Sequence, residues 1–277
     1  MITYGKYKSE FQISDFLKEC LIARFNNNEK VILFKNRDRG YSPNLEVIHE
    51  VKDGVEIVYL HDIDTDWSEV MNSAGIGIVN SALTVGYDEN EKKIIKKTGN
   101  KSHDGKIIRK ALEEKNIEDA LEVLVKYQNG VRGHTIVATA EKYIIIESTS
   151  KHDAKTKEGE DETIVRTNHG FIYTTAGYTS GKNYLSSKIR KEVGETVIED
   201  VEDYKDLAAR MRVQKNDDPQ LNPTRMDGKL KTTSQLLMNL TDLEFNIYLI
   251  DDNINSFNGV QKNGIKDPKI IIKTYNI

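Results

Sequence analysis

The single cysteine of the chain, Cys20, stands at the head of a short apolar run and is the residue best suited to nucleophilic chemistry. A thiolate attacks carbonyl carbon readily, so a cysteine presented there can form a thioester with an acyl group. The run at residues 20–25 is followed by a polar turn and a second apolar run at residues 30–34. That run leads into Lys-Asn-Arg-Asp-Arg at residues 35–39, so a hairpin would bring Asp38 beside the start of the first strand. A free cysteine is also often a small buried hydrophobic residue, and its position alone leaves that interpretation open.

The composition favours one soluble globular domain that carries no disulfide, metal or cofactor. The chain has 277 residues, of which 38% are hydrophobic and 30% are charged, and its net charge is −4. One cysteine excludes an internal disulfide and leaves no Cys-x-x-Cys pair for a zinc or redox centre. The charge is small and spread along the chain, which argues against nucleic acid as a partner.

The location expected from the sequence is the cytoplasm. No apolar run approaches the roughly 20 residues that a membrane-spanning helix needs. The first nineteen residues contain Asp15 and Glu19 and lack a continuous apolar core, so they do not resemble a secretory signal. We therefore expect neither a membrane nor a nucleic-acid partner, and a homo-oligomer stays open.

The pattern along the chain predicts an α+β protein with largely antiparallel sheets. Helical periodicity is found at residues 106–115, 117–127, 183–193 and 201–213. The polar segments 150–161 and 215–231 are expected to be surface loops. Two sheets packed face to face, with helices over both outer faces, would use all these elements in one domain. The predicted strands are apolar or aromatic runs bounded by Gly, Asn or Asp, at residues 20–25, 30–34, 45–51, 55–61, 75–83, 134–140, 142–147, 163–166, 171–174, 234–240, 243–250 and 269–275.

Five segments with polar or small residues at their ends are spread along nearly the whole chain. They are Cys20 with its hairpin, Met-Asn-Ser-Ala-Gly-Ile-Gly-Ile at 71–78, a hairpin at 133–147 that ends in glutamate, Arg-Thr-Asn-His at 166–169, and Thr-Thr-Ser at 232–234. In this order the segments resemble the cysteine N-terminal-nucleophile (Ntn) hydrolases of the group that contains choloylglycine hydrolase, penicillin V acylase and isopenicillin N acyltransferase. Each segment alone would occur by chance, but their order and spacing together are moderately specific.

The resemblance implies a four-layer αββα sandwich and an autocatalytic maturation. Residues 1–19 would be a short prosegment, and residues 20–277 would form the Ntn-hydrolase domain. Cleavage between Glu19 and Cys20 would free the α-amino group of Cys20, which has an ordinary pKa near 8 and could act as the general base. The implied activity is hydrolysis of a small-molecule substrate with a linear, non-peptide C–N amide bond, or transfer of its acyl group, through a thioester on Cys20.

The resemblance also implies roles for polar residues. Asp38 would hold the ammonium or the thiol by hydrogen bonds, although an aspartate that caps a turn is an equally ordinary interpretation. Asn168 would donate to the oxyanion, and its competing interpretation is an asparagine of an Asx turn before His169. Asn80, on the strand after the glycine-rich turn, would supply a second polar contact.

Cationic positions depart from the pattern of the group. An arginine often stands three residues before the catalytic aspartate, and Lys35 occupies that position here, with Arg37 closer to Asp38. Either cation could hold the substrate or stabilise the thiolate, but lysine lacks the planar fork of arginine. The arginine that the group carries later in the chain is matched by Arg190, with Lys188 nearby.

Other interpretations stay open at this stage. A cysteine with the distant histidines His134 and His169 would also suit a Cys-His hydrolase of another class. A non-catalytic protein of the same fold, in which Cys20 is a relic, could bind a ligand in its cleft. The alternating Asp62, Asp64 and Asp66 resemble part of a calcium loop, but the required glycine and glutamate are absent, so a solvated acidic loop is expected instead.

Overall fold

The computed structural model describes residues 18–27, 29–83, 103–126, 130–149, 152–199, 201, 206–250, 253–263 and 270–275. Residues 1–17 of the predicted prosegment lie outside this part, as do pieces of the helices predicted at 117–127 and 201–213. The described helices are α1 (His103–Ala111), α2 (Ile117–Lys126), α3 (Gly181–Glu199) and α4 (Leu207–Arg212), with a short 3₁₀ helix at Pro219–Leu221. The described strands are β1 (Lys18–Asn26), β2 (Val31–Arg39), β3 (Asn44–Lys52), β4 (Val55–Asp62), β5 (Trp67–Asn72), β6 (Gly77–Ser81), β7 (Gly133–Ala138), β8 (Tyr143–Thr149), β9 (His152–Gly159), β10 (Ile164–Arg166), β11 (Lys231–Asn239), β12 (Glu244–Ile250), β13 (Ser256–Asn263) and β14 (Ile270–Tyr275).

These strands form two sheets. The first has six strands in the order β10-β1-β2-β11-β12-β14, and the second has eight in the order β13-β3-β4-β5-β6-β7-β8-β9. The pairs β12–β14 and β3–β13 are parallel, and the other pairs are antiparallel. Hairpin connections explain this bias, because a short turn can join only antiparallel neighbours.

Side-chain alternation along β1 shows how the layers form. Cys20 and Ile22 point into the apolar core between the two sheets. Leu21 and Ala23 point to the other face, where they pack with residues of α3 and α4. Gly194 lets α3 come close to this face, because a Cβ at that position would lie 3.1 Å from Leu21 Cδ1.

The second sheet is covered in the same way. Residues of α1 and α2, among them Ile108 and Leu124, pack on the outward apolar side chains of β4 to β8. The molecule is therefore a helix–sheet–sheet–helix sandwich. The α+β class, the two packed and largely antiparallel sheets, and the outer helices predicted from the sequence are confirmed.

Two local predictions were wrong, and two strands were missed. The segment 150–161, expected as a loop, contains β9, which lies at the edge of the second sheet and is therefore mostly exposed and polar. β5 and β13 were not predicted. Residues 171–174 are not a strand, because the backbone N–H groups of Phe171, Ile172 and Tyr173 donate to the Glu147 carboxylate instead of to a neighbouring strand.

In the part of the chain with a described structure, no helix combines the length and the apolar character needed to cross a membrane.

Candidate active site

The β1–β2 hairpin places Cys20 and Asp38 close together but on opposite faces of the first sheet. In its antiparallel register Cys20 lies opposite Arg37, and Glu19 lies opposite Asp38. Residues directly opposite each other share a face, so Cys20 faces the second sheet while Glu19 and Asp38 face the helices. The sequence predicted the proximity of Cys20 and Asp38 but not this division.

A buried cation contacts the sulfur. Cys20 is 3% exposed, and Arg39 Nη1 donates to its Sγ over 3.6 Å. The same Nη1 also donates to the Asp38 carbonyl oxygen at 2.8 Å, which fixes the guanidinium. A cation held beside the sulfur stabilises the thiolate, so this contact suits a nucleophilic cysteine.

Around Arg39 the space between the sheets holds a charged network that the first and second sheets share. Lys35 Nζ lies 2.5 Å from Glu69 Oε1, and Arg37 Nη2 lies 2.6 Å from Asp62 Oδ2. Burial alone would raise the pKa of Glu69, but Lys35, Arg37 and Arg39 hold it below its ordinary value. Lys35 is thus on the same face as Cys20, where it forms an ion pair with a carboxylate.

Asp62 corrects the expectation of a solvated acidic loop. Its side chain is fully buried and also accepts a 2.5 Å hydrogen bond from the Tyr41 hydroxyl. Within the described ranges, no cluster of His, Cys, Asp or Glu side chains has the arrangement of a metal site.

On the helix-facing side, Asp38 is surrounded by donors. Thr232 Oγ1 donates to Asp38 Oδ1 at 2.7 Å, and Arg190 Nη2 forms a short ion pair with Asp38 Oδ2. A second arginine, Arg225, places its Nη1 3.7 Å from the same oxygen. The structure therefore brings together the sequence-predicted Asp38 and Arg190, and it adds Arg225 from a loop.

Asn168 reaches the main chain at Cys20 through one intermediate, Ser81. The Ser81 hydroxyl lies 3.1 Å from the Cys20 carbonyl oxygen and 3.0 Å from that of Thr167, so it can donate to either. Asn168 Nδ2 donates to Ser81 Oγ at 3.2 Å and to the Ala82 carbonyl oxygen at 2.8 Å. In this conformation both amide hydrogens of Asn168 are used within the protein.

Asn80 is not brought to this cluster. On β6, Val79 faces the core between the sheets, whereas Ile78 faces the helices, and strand alternation places Asn80 with Ile78. Its Nδ2 donates to Thr135 Oγ1 at 2.8 Å and to the Arg132 carbonyl oxygen at 3.1 Å. The neighbouring Ser81 is the β6 residue that contacts the main chain of Cys20.

The two histidines are occupied elsewhere. His134 Nδ1 lies 2.8 Å from Glu147 Oε1, and its Nε2 lies 2.8 Å from the His169 carbonyl oxygen. His169 Nδ1 lies 2.8 Å from Ser187 Oγ, which also accepts the backbone N–H of Asn168. Burial and nearby positive groups, His134 first among them, lower the pKa of His169 to about 4. These contacts hold the loop that carries Asn168 and give no Cys-His pair.

Arg39, Ser81, Arg225 and Tyr178, whose hydroxyl donates to Glu19 Oε1, were not predicted from the sequence. Arg39 had a usable signal, because it follows the Asn-x-Asp motif and alternation puts it on the face of Arg37. Ser81 had a weaker signal in the sequence, namely its position next to Asn80, which was predicted to contact the site. Tyr178 and Arg225 lie in irregular segments far from Cys20 in sequence, and no local pattern marks them.

Comparisons with known proteins bear on the family and the fold of this chain. A family model described as acyl-coenzyme A:6-aminopenicillanic acid acyl-transferase matches residues 25–253. The chain is similar in structure to a Caenorhabditis elegans ortholog of N-acylethanolamine-hydrolyzing acid amidase, with a TM-score of 0.58 and 14% identity over 80% of this chain and 92% of that one. It also matches penicillin V acylase from Agrobacterium tumefaciens, with a TM-score of 0.44 and 12% identity over 83% of this chain and 85% of that one. No curated protein matches the sequence significantly.

Proposed function

Because the chain belongs to the acyl-coenzyme A:6-aminopenicillanic acid acyl-transferase family, within the cysteine Ntn hydrolases, we propose that it is an amidase or acyltransferase with Cys20 as its N-terminal nucleophile. Membership confirms the resemblance seen in the sequence and the αββα sandwich that it implied. The substrate in this proposal is a small molecule with a linear, non-peptide C–N amide bond. The family match begins at residue 25, so the role of Cys20 depends on the site itself.

One observation carries the proposal. The Cys20 sulfur contacts the buried guanidinium of Arg39, and the Glu19–Cys20 peptide bond lies opposite Asp38 on the neighbouring strand. Arg39 stabilises negative charge on Sγ at 3.6 Å. The Glu19–Cys20 bond lies across the ladder from Arg37 and Asp38. A thiol in the core for packing alone needs neither feature.

Maturation in this proposal begins with attack of Cys20 Sγ on the carbonyl carbon of Glu19. The C–N bond breaks as the thiol proton passes to the Cys20 nitrogen, which leaves a thioester. Water then adds to the thioester; its hydroxyl stays on the Glu19 carbonyl and a proton returns to sulfur. The products are residues 1–19 with a new carboxylate and a chain with a free α-amino group at Cys20.

Substrate turnover repeats this chemistry with an external amide. The free amine of Cys20 takes the thiol proton and delivers it to the leaving nitrogen, so no histidine is required. Asp38 holds the ammonium, and Asn168 with a backbone N–H stabilises the oxyanion. Because both Asn168 hydrogens are bonded in the uncleaved chain, its oxyanion role requires the local hydrogen bonds to rearrange on maturation.

The experiment that tests this function compares three proteins by intact mass and by amide turnover. The full chain should lose residues 1–19, a chain that starts Met-Cys20 should be active once the host removes the methionine, and full-length Cys20→Ala should be uncleaved and inactive. An acyl adduct trapped on Cys20 would identify the acyl group by its mass. If demonstrably uncleaved full-length protein turned over amides as fast as the Met-Cys20 chain, the α-amino mechanism would be refuted. The cytoplasmic location and a homo-oligomer stay predictions.

A further inference from the structure

The carboxylate of Glu19, the residue before the nucleophile, is buried in a pocket of fixed donors. Glu19 is only 4% exposed. Its Oε1 accepts a 2.5 Å hydrogen bond from the Tyr178 hydroxyl, and its Oε2 lies 2.7 Å from Arg225 Nη1 and 3.7 Å from Arg190 Nη1. We call Tyr178, Arg190 and Arg225 the Glu19 pocket.

The pocket is balanced in charge only while Glu19 fills it. Arg190 and Arg225 face two carboxylates, Glu19 and Asp38. Burial alone would raise the pKa of Glu19, but Arg225 and Arg190 hold it below its ordinary value, so the carboxylate is ionised. Removal of Glu19 leaves two buried cations with one carboxylate, and an unpaired buried charge is strongly unfavourable. The cleaved protein therefore has a site that favours an anion.

The pocket does not depend on the leader for its shape. Arg225 Nη2 donates to Ser186 Oγ at 3.1 Å, and Arg225 Nε donates to the Gln220 carbonyl oxygen at 3.3 Å. Arg190 Nε donates to the Asn222 carbonyl oxygen at 3.2 Å. These partners come from α3 and from the 3₁₀ helix and the residue after it, so both guanidinium groups stay positioned after cleavage.

The chemistry of self-cleavage says which part of a substrate would enter this pocket. In that step Glu19 is the acyl donor, since its carbonyl carbon becomes bonded to Cys20 Sγ. A substrate acyl group on the same sulfur then stands where Glu19 stood, and its chain extends where the Glu19 side chain extended. From the carbonyl carbon of a glutamate to its carboxylate carbon there are five carbons, the length of a glutaryl group.

We propose that the mature enzyme prefers amides whose acyl group ends in a carboxylate at glutaryl length, which the Glu19 pocket binds. Glu19 is then a built-in substrate mimic of the precursor. This inference rests on the proposed function, because it uses Cys20 as the acyl acceptor. An apolar acyl chain of the same length would leave the two buried cations with only the Asp38 carboxylate.

The first test needs no variant. The self-cleaved full-length protein is assayed with glutaryl-p-nitroanilide and with pentanoyl-p-nitroanilide, which differ only in the terminal carboxylate. We expect kcat/KM to be at least about tenfold higher for the glutaryl amide, as one charge-assisted contact can provide. Arg225→Gln should move this ratio towards one, and Arg210→Gln, which removes an exposed arginine from α4, should leave the ratio unchanged. A ratio of one or less in the unmodified protein overturns the inference while leaving the proposed function intact.

A second test separates the pocket from the activity. Full-length Cys20→Ala with Glu19→Ala stays uncleaved and lacks only the carboxymethyl part of the Glu19 side chain, which acetate can replace. We expect sodium acetate, but not sodium chloride at equal ionic strength, to raise its melting temperature, and to do so far less in Cys20→Ala alone. If neither anilide is turned over, the acetate effect decides by itself whether the pocket binds an anion, and the proposed function is judged by the cleavage and trapping experiment above. Absence of that effect means that the pocket is no anion site and overturns the inference.

Discussion

The guanidinium of Arg39 lies against the sulfur of Cys20, with Nη1 3.6 Å from Sγ. Burial lowers the pKa of Arg39, but Cys20, Tyr41, Glu69 and Asp62 together raise it above its ordinary value, so the arginine is a permanent cation. The Asp38 carbonyl oxygen, which accepts from Arg39 Nη1, and the Asp62 carboxylate, 4.0 Å from Arg39 Nε, hold the guanidinium in place. The sulfur therefore faces a fixed positive charge in a site that excludes water, where electrostatic effects are large.

The first prediction concerns this contact. Arg39→Met should slow alkylation of Cys20 by iodoacetamide at pH 7, because the thiolate loses its cation, and amide turnover should fall with it. Arg39→Lys should retain part of both rates, since it keeps the charge but loses the planar fork. Arg109→Lys, a substitution at the Asp66 ion pair on α1, is the matched control. Equal alkylation rates in Arg39→Met and the unmodified protein would show that the contact has no effect on the sulfur.

The second prediction is that Cys20→Ala abolishes turnover and leaves the fold intact. Cys20 is buried in the core between the sheets, but it is small, so the loss of its sulfur should lower the free energy of unfolding by less than about 2 kcal/mol. Urea denaturation measures this change, and Cys20→Ser, nearly equal in volume, is the control for packing. Full amide turnover by the alanine variant would end the nucleophile hypothesis.

The third prediction is that Asp38→Asn slows both maturation and turnover. Asp38 is the buried counter-ion of Arg190 and Arg225, and the amide cannot balance them. Removing one partner of a buried pair typically costs about 3–5 kcal/mol, so the variant should also be destabilised. The time course of cleavage followed by intact mass, together with urea denaturation, measures both effects. Asp227→Asn, an exposed aspartate in an i,i+4 pair, should mature at the normal rate. Rapid cleavage of Asp38→Asn would remove Asp38 from the mechanism.

The sequence was sufficient to predict the layers of the fold. It also predicted the proximity of Cys20 and Asp38, because short apolar runs and a tight turn determine a hairpin. It could not show which face of β2 points to the second sheet and which points to the helices. Every residue of β2 is buried, so its charged residues alternate between two buried faces instead of marking one exposed face.

The sequence could not predict contacts between distant segments, for another reason. Arg225 meets Glu19 across most of the chain, and the loop that carries it has the composition of a surface segment. β9 was missed because an edge strand needs only one neighbour, so its polar residues resemble those of a loop. Burial of such residues is a property of the assembled fold.

The fourth prediction separates two asparagines. Asn168→Ala should lower kcat by about 10²–10³ with a comparatively small change in KM, as expected for loss of an oxyanion donor. Asn80→Ala should change kcat by less than about tenfold, since Asn80 lies on the opposite face of the second sheet and bonds to Thr135. Steady-state kinetics on the matured proteins measures kcat and KM for both variants. If Asn168→Ala altered KM alone, Asn168 would position the substrate and another group would stabilise the oxyanion.

The fifth prediction is a loss of stability in mild acid that depends on His169. Its pKa is about 4 in the folded protein, because burial and then the positive charges of His134, Lys191, Lys188 and Arg166 disfavour the imidazolium. In the unfolded chain the pKa is near 6.5, so the unfolded state binds more protons between these values. The free energy of unfolding must therefore fall as the pH drops from about 6.5 to about 4.

Urea denaturation at pH 7, 6, 5 and 4.5 measures that fall in the Cys20→Ala background, which keeps the chain uniform. His169→Gln removes the titrating group and should flatten the curve over this window, whereas His152→Gln, a partly exposed histidine on β9, should keep the slope of the parent. Because Ser187 Oγ contacts His169 and accepts the backbone N–H of Asn168, protonation of His169 should also disturb the Asn168 loop, so turnover of matured protein should decline over the same pH range. Identical slopes for His169→Gln and its parent would assign the acid sensitivity to carboxylates elsewhere in the fold.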